Sequence, residues 1–95
     1  MEIQHRQQGR GGAFFALEDG VEVGEMTYGL EPGGPMDVDH TWVDPRMRGK
    51  GVARQLVDAG VAHARANGLR IRPLCSYVVA VFREDPSLAD VAWRR

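Results

Sequence analysis

The spacing of apolar residues changes once along this chain, at the glycine-rich segment Arg46–Gly51. Ahead of that segment apolar and polar residues alternate, which is typical of β-strands; beyond it they recur with the spacing of an amphipathic helix. The helical stripe consists of Val52, Leu56, Val57, Val61 and Ala64. The sequence therefore predicts a strand, a tight turn and a helix in direct succession, and restricts the fold to a sheet with helices packed on it.

The first forty residues are predicted to form strands joined by turns. Gly9–Gly12 gives the first break, and Ala13–Glu18 follows as a strand. Asp19-Gly20 is a two-residue hairpin signal, so Val21–Leu30 is expected to return as the antiparallel neighbour. Residues 31–35 contain two prolines and two glycines, which favour a loop. Three strands are therefore expected before residue 36.

A fourth strand is predicted over Met36–Val43, because apolar and polar residues alternate there. Strict alternation would place Met36, Val38, His40 and Trp42 on one face and the residues between them on the other. Asp44-Pro45 is expected to end this strand just before the glycine-rich segment.

Beyond the first helix, Asn67-Gly68 supplies a left-handed stop, and Leu69–Leu74 is predicted as a short strand. Ser76 is expected to cap a second helix that runs to Phe82 or Arg83. Ser87–Trp93 is expected to add a last short helical turn. The predicted fold is α+β in the order ββββαβα, with a mixed, mostly antiparallel sheet of about five strands and two main helices.

Length and charge restrict the function further. A chain of 95 residues has room for one hydrophobic core, so a single domain over residues 1–95 is expected. The formal net charge of -1 creates no field that would gather nucleic acid or an anionic membrane, and neither is expected as a partner. Met1–Arg10 is polar and lacks the apolar run of a signal peptide or membrane anchor.

The cysteine and histidine content predicts neither disulfides nor metal. Cys75 is the only cysteine, so no internal disulfide is expected and the reducing cytoplasm is the predicted compartment. His5, His40 and His63 are scattered and lack metal-ligand spacing with Cys75, so no metal site is predicted.

The glycine-rich segment is typical of a phosphate site. The first amides of a helix have no internal acceptor, and the helix dipole adds positive potential there. Gly49 and Gly51 would expose those amides, while Arg46, Arg48 and Lys50 supply cations. The segment is neither a Walker loop nor a dinucleotide fingerprint, because the required glycine spacings are missing. A pyrophosphate group is the predicted ligand.

These residues match the Arg-x-x-Gly-x-Gly signature that follows the fourth strand in GCN5-related N-acetyltransferases (GNATs), and the chain resembles that family. Further matches to a small branch of the family are His40-Thr41, Arg48–Ala53, Leu56-Val57, Ala64-Arg65 and Pro73–Cys75. The resemblance covers roughly residues 39–90 and implies a minimal GNAT fold that uses acetyl-CoA.

By this resemblance, acetyl-CoA would lie between the fourth and fifth strands, with its pantetheine paired to backbone near Trp42 and Val43. The residues expected to bind it are Trp42, Val43, Arg46, Arg48, Gly49, Lys50, Gly51 and Val52. A backbone amide of the fourth strand would polarise the thioester carbonyl. The expected acceptor is a small-molecule or peptide amine, and a homodimer is an open alternative to a monomer.

Two residues are candidates for catalysis. Histidine is the side chain that most often acts as a base near neutral pH, so His40 is the candidate base, although a lone histidine on a strand is often a packing residue. Cys75, between a strand and a helix, is a candidate acetyl-accepting nucleophile or else a small buried side chain. By the same resemblance, Tyr77 would protonate the leaving thiolate, and its alternative is a place in the core.

The rival interpretation is a non-catalytic module that binds CoA or acyl-CoA, or docks to a partner protein. The larger family carries two helices between its first two strands, whereas here only Gln7–Gly12 fills that position. A wall that would hold the acceptor is therefore absent from the sequence. Both interpretations require the same glycine-rich phosphate site.

Overall fold

The computed structural model describes residues 1–94, which contain one five-stranded sheet. Its strands are β1 (Glu2–Gln8), β2 (Gly11–Glu18), β3 (Val21–Leu30), β4 (Met36–Val43) and β5 (Ile71–Pro73). The helices are α1 (Val52–Ala66) and α2 (Ser76–Glu84), with 3-10 helices at Pro45–Met47 and Pro86–Val91. The strands lie in chain order, β1 to β4 antiparallel and β5 parallel to β4. The predicted α+β fold and element order are confirmed.

Strand β2 begins at Gly11, so the predicted break over Gly9–Gly12 is wrong at its second half. A Cβ atom on Gly12 would lie 2.5 Å from the carbonyl oxygen of Arg6 and 2.6 Å from the hydroxyl of Tyr28. Glycine is therefore required here by the close approach of neighbouring strands rather than by a turn. The turn itself is confined to Gly9 and Arg10.

Helix α1 lies directly over the sheet. The predicted apolar stripe is confirmed, since all of its members are buried. A Cβ on Gly24 of β3 would lie 2.9 Å from Cγ1 of Val52 and 3.2 Å from Cδ1 of Leu56. Gly24 also pairs with Val43, the last residue of β4. This close contact holds the first turns of α1 beside the end of β4.

The remaining helical elements pack on the same face as α1. Arg54 of α1 lies 2.5 Å from a carboxylate oxygen of Asp85 at the end of α2. Arg65 lies 2.8 Å from Asp90 in the last 3-10 helix. Cys75, rather than the predicted Ser76, occupies the N-cap position of α2. Strand β5 covers only Ile71–Pro73 and is shorter than predicted.

The opposite face of the sheet carries no helix within residues 1–94. Gln4, Phe15, Glu25 and Trp42 form one row across this bare face, because each pairs with the next in the strand register. None of the helices in this part of the chain is both long and apolar enough to span a membrane.

An aromatic cluster joins β1 to the second half of α1. The His5 ring stacks on Phe14 with centroids 4.3 Å apart, and its Nε2 lies 2.5 Å from the hydroxyl of Tyr28. The ring of His63 is 4.4 Å from that of His5. Burial and the neighbouring His63 lower the pKa of His5, which favours the neutral ring. The outermost strand is thereby tied to the helix.

We expect Gly24→Ala to lower the free energy of unfolding by about 1–3 kcal/mol, because its methyl group would overlap the branched side chain of Val52. Gly29→Ala is the matched control on the same strand, since the nearest atom to a Cβ there is 3.9 Å away. Its change should stay within about 0.5 kcal/mol or be stabilising. Urea denaturation of both variants measures the difference, and equal losses would contradict the close packing of α1 on β3.

Candidate functional site

A cavity of about 270 Å³ opens at the N-terminus of α1. It is bounded by Val43 at the end of β4, by most of the stretch from Met47 to Arg54, and by Tyr77 of α2. The predicted phosphate segment and the end of the predicted fourth strand thus meet around one space. Tyr77, which the sequence left between a catalytic and a packing role, is 39% exposed and faces this space.

The two glycines of this segment have left-handed backbones. Gly49 has φ of 76° and Gly51 has φ of 75°, conformations that strain other residues. No atom lies within 4 Å of a Cβ built on either residue. The space beside both glycines is therefore open to a ligand that approaches the backbone.

The first turn of α1 presents amide groups without acceptors. Its N-cap residue is Gly51, which has no side chain to cap the helix, and the first backbone bond runs from the Gln55 amide to the Gly51 carbonyl at 3.1 Å. Among the described residues, nothing accepts from the amides of Val52, Ala53 and Arg54. Such donors and the helix dipole are the features that an anion-binding site requires.

The predicted cations are divided between two sides of the loop. Arg48 lines the cavity. Arg46 instead binds Asp44 through two bonds of 2.7 and 3.1 Å, and its hydrogen bonds hold the pKa of that carboxyl at about 2. Lys50 lines a separate depression beside Arg46. The structure therefore brings only one of the three predicted cations to the cavity.

Arg54 is a cation of the cavity that sequence reasoning missed. Its Nε lies 2.9 Å from Asp58, and its Nη2 contacts Asp85 of α2. Hydrogen bonds from this guanidinium and from Ser87 lower the pKa of Asp85 to about 2. The only sequence signal was its position in the first turn of the predicted helix. Asp85 is distant from Arg54 in sequence, so the tertiary fold decides which way the Arg54 side chain points.

Strands β4 and β5 separate beside this cavity. They pair from Met36↔Ile71 to Val38↔Pro73, and the Leu74 amide then donates to the Val38 carbonyl at 2.8 Å. Pro73 has no amide hydrogen to continue the ladder. Within residues 1–94, the edge of β4 beyond Val38 has no strand partner on this side. The unpaired edge of β4 therefore runs from beyond Val38 to the cavity, and the space between this edge and the chain that follows β5 is called the gap below.

A β-bulge in β4 reverses the predicted faces beyond Val38. Tyr28 pairs with Val38 but Thr27 pairs with His40, so Asp39 is an extra residue. Thr41 consequently lies on the helix side of the sheet, where its Oγ1 is 3.3 Å from Sγ of Cys75. The predicted alternation was wrong from this point because a bulge shifts the side chains by one position.

His40 and Trp42 therefore lie on the bare face, and Trp42 is 43% exposed. The structure does not bring the side chain of His40 beside Cys75. The backbone of Trp42 and Val43, which was predicted to bind cofactor, lies along the gap. In the described chain, no group of three His, Cys, Asp or Glu side chains is placed to hold a metal ion.

A family model described as GCN5-related N-acetyl-transferase matches residues 13–91. None of the curated proteins matches the sequence. Among solved structures, a GCN5-like protein from Staphylococcus aureus shares 28% identity with a TM-score of 0.73. That similarity covers 97% of this chain and 89% of the staphylococcal chain.

Two larger proteins are also similar. A ribosomal-protein-alanine N-acetyltransferase from Brucella melitensis shares 28% identity over 67% of this chain, with a TM-score of 0.62, and the similarity spans 49% of that enzyme. An aminoglycoside N-acetyltransferase, solved in complex with CoA, has a TM-score of 0.62 at 18% identity. That match covers 93% of this chain and 71% of the other, and it shows a shared fold.

Proposed function

This chain belongs to the GCN5-related N-acetyltransferase family, as its motif predicted, and on that premise we propose that it transfers acetyl from acetyl-CoA to a primary amine. The observation that carries the proposal is the set of acceptor-free amides at the start of α1, beside two left-handed glycines and an open cavity. A diphosphate is the ligand whose charge and size suit that arrangement. The CoA in a related structure supports the same choice.

The proposed cofactor contacts follow from the cavity. The diphosphate binds the amides of Val52 to Arg54, and Arg48 supplies positive charge inside the cavity. Arg54 lines the same cavity, with its guanidinium already paired to Asp58 and Asp85. Lys50 and Arg46 add positive charge from the far side of the loop, where Asp44 offsets the charge of Arg46. The pantetheine arm pairs with the edge of β4 at Trp42 and Val43, as an added strand would.

The acceptor amine is proposed to approach from the bare face, where His40 is exposed. The amine nitrogen attacks the acetyl carbon, the carbon–sulfur bond breaks, and His40 takes the proton that the nitrogen loses. An amide of β4 stabilises the negative charge that develops on the carbonyl oxygen. The two substrates then meet through the gap between β4 and β5.

Tyr77 is proposed to return a proton to the thiolate of CoA. Burial raises the pKa of its phenol, with smaller and opposing effects from Arg54 and Asp58, so the group holds its proton at neutral pH. Its place beside the cavity supports this role. The single cysteine and the need for acetyl-CoA support a cytoplasmic location.

A non-catalytic CoA-binding module is the second candidate function. The connection of β1 to β2 by the short turn at Gly9-Arg10 favours it, since no helix stands between these strands to hold an acceptor. The bare face also offers a surface to a second protein or a second copy of the chain. Acetyl transfer to an amine would identify an enzyme, and CoA binding without transfer would identify the binding module.

We expect the protein to release free CoA from acetyl-CoA when a suitable amine is present. The measurement offers polyamines, amino acids and peptides in parallel and follows the free thiol over time. Omitting the amine corrects for spontaneous hydrolysis. Saturable binding of acetyl-CoA without thiol release from any amine would favour the binding module instead.

We expect Gly49→Val and Gly51→Val each to weaken CoA binding by about 2 kcal/mol or more, because the side chain blocks the phosphate and strains the turn. Gly33→Val is the matched control, since Gly33 also has a left-handed φ of 68° and open space but lies in a remote loop. Calorimetry on folded variants measures the affinities. Unchanged CoA affinity in Gly49→Val or Gly51→Val would show that the phosphate does not bind at this site.

Mass spectrometry distinguishes the two roles considered for Cys75. Direct attack by the amine leaves the thiol unmodified, and we expect no acetyl group on Cys75 after incubation with acetyl-CoA alone. Cys75→Ala should then keep measurable turnover. Two results together would establish a covalent intermediate instead. They are an acetyl group on Cys75 that passes to an amine, and a Cys75→Ser variant that binds CoA but is inactive.

A further inference from the structure

One side-chain contact crosses the gap between β4 and β5. The hydroxyl of Thr41 on β4 lies 3.3 Å from the thiol of Cys75 at the start of α2. The cavity at the other end of the gap is lined by Val43 and Tyr77 but by neither member of this pair. The pair therefore lies beyond the inner end of this cavity.

Behind the pair the protein is closed. The Leu74 amide donates to the Val38 carbonyl, which joins the two strands, and Val38 is 1% exposed. Val78, one turn further along α2 than Cys75, is also 1% exposed. A group that passed the pair would have to enter a packed interior.

Both members of the pair are held in place. Thr41 is β-branched, which limits its side-chain rotation, and it is fixed in a strand opposite Met26. Cys75 is fixed by the start of α2, where its carbonyl accepts from the Val79 amide at 3.0 Å. Because both backbones are fixed and Thr41 is β-branched, this pair has less freedom to move aside than two long, flexible side chains would have.

We infer that Thr41 and Cys75 together limit the length of the acyl group that the gap accepts, so the site selects acetyl over longer acyl thioesters. This inference rests on the proposed function, because it needs the pantetheine arm to run along β4 from the cavity. Thr41 lies two residues inward from Val43, or about 7 Å along the strand. The acyl end of the arm contacts the pair, so each methylene group added to the acyl chain would clash with Thr41 or Cys75.

Calorimetry with CoA, acetyl-CoA and butyryl-CoA tests the inference without requiring turnover. We expect the unchanged protein to bind butyryl-CoA at least about tenfold more weakly than acetyl-CoA. In the double variant Thr41→Ala/Cys75→Ala that ratio should fall to about threefold or less, with CoA affinity unchanged. Thr41→Val is the matched control, since it keeps the size and branching of the side chain and should keep the ratio.

The single variants Thr41→Ala and Cys75→Ala guard against misfolding of the double variant, and each should shift the ratio in the same direction. Equal affinities for the two thioesters in the unchanged protein, or an unchanged ratio in folded variants, would overturn the length limit while leaving CoA binding intact. Loss of the proposed function would look different, since CoA itself would then fail to bind.

Discussion

The early end of the pairing between β4 and β5 is the constraint on which the site depends. After Pro73 the chain turns into α2 instead of continuing beside β4, so one edge of β4 keeps its backbone groups free of a strand partner within the described residues. The cavity lies at the open end of that edge because Gly24 lets α1 settle closely on β3. Acceptor-free helix amides and an unpaired strand edge thus meet at one place.

Much of the fold was predictable because local sequence decides it. The bounds of β3 and β4, the turn at Asp19-Gly20 and the buried stripe of α1 all agree with the pattern of apolar residues and glycines. Each of these features depends on residues within one element or one turn. The family followed from the glycine-rich segment for the same reason, since its backbone conformation and its position before a helix are local properties.

The directions of side chains in the site were less predictable. Arg46 and Arg48 both precede the two glycines in the sequence, yet the carboxylate of Asp44 holds Arg46 away from the cavity. Arg54 is held beside the cavity partly by Asp85, whose proximity exists only in the folded chain. The bulge at Asp39 likewise arises from the pairing of β4 with β3, and alternation within β4 alone predicts the opposite faces for residues 40–43.

The bulge also decides which side chains of β4 face the helices. Beyond Asp39, a side chain lies on the helix side when it is an odd number of residues from Val38 and on the bare side when that number is even. A regular pairing that took Asp39 into the ladder would exchange the two sets, moving an imidazole and an indole toward the helices and a hydroxyl to the bare face, with no change in sequence. Deletion of Asp39 would instead remove the bulge and leave each later side chain on its present face. In this strand the pairing, rather than the composition, therefore decides which chemical groups face the helices, and homologous strands are comparable only once their bulges have been matched.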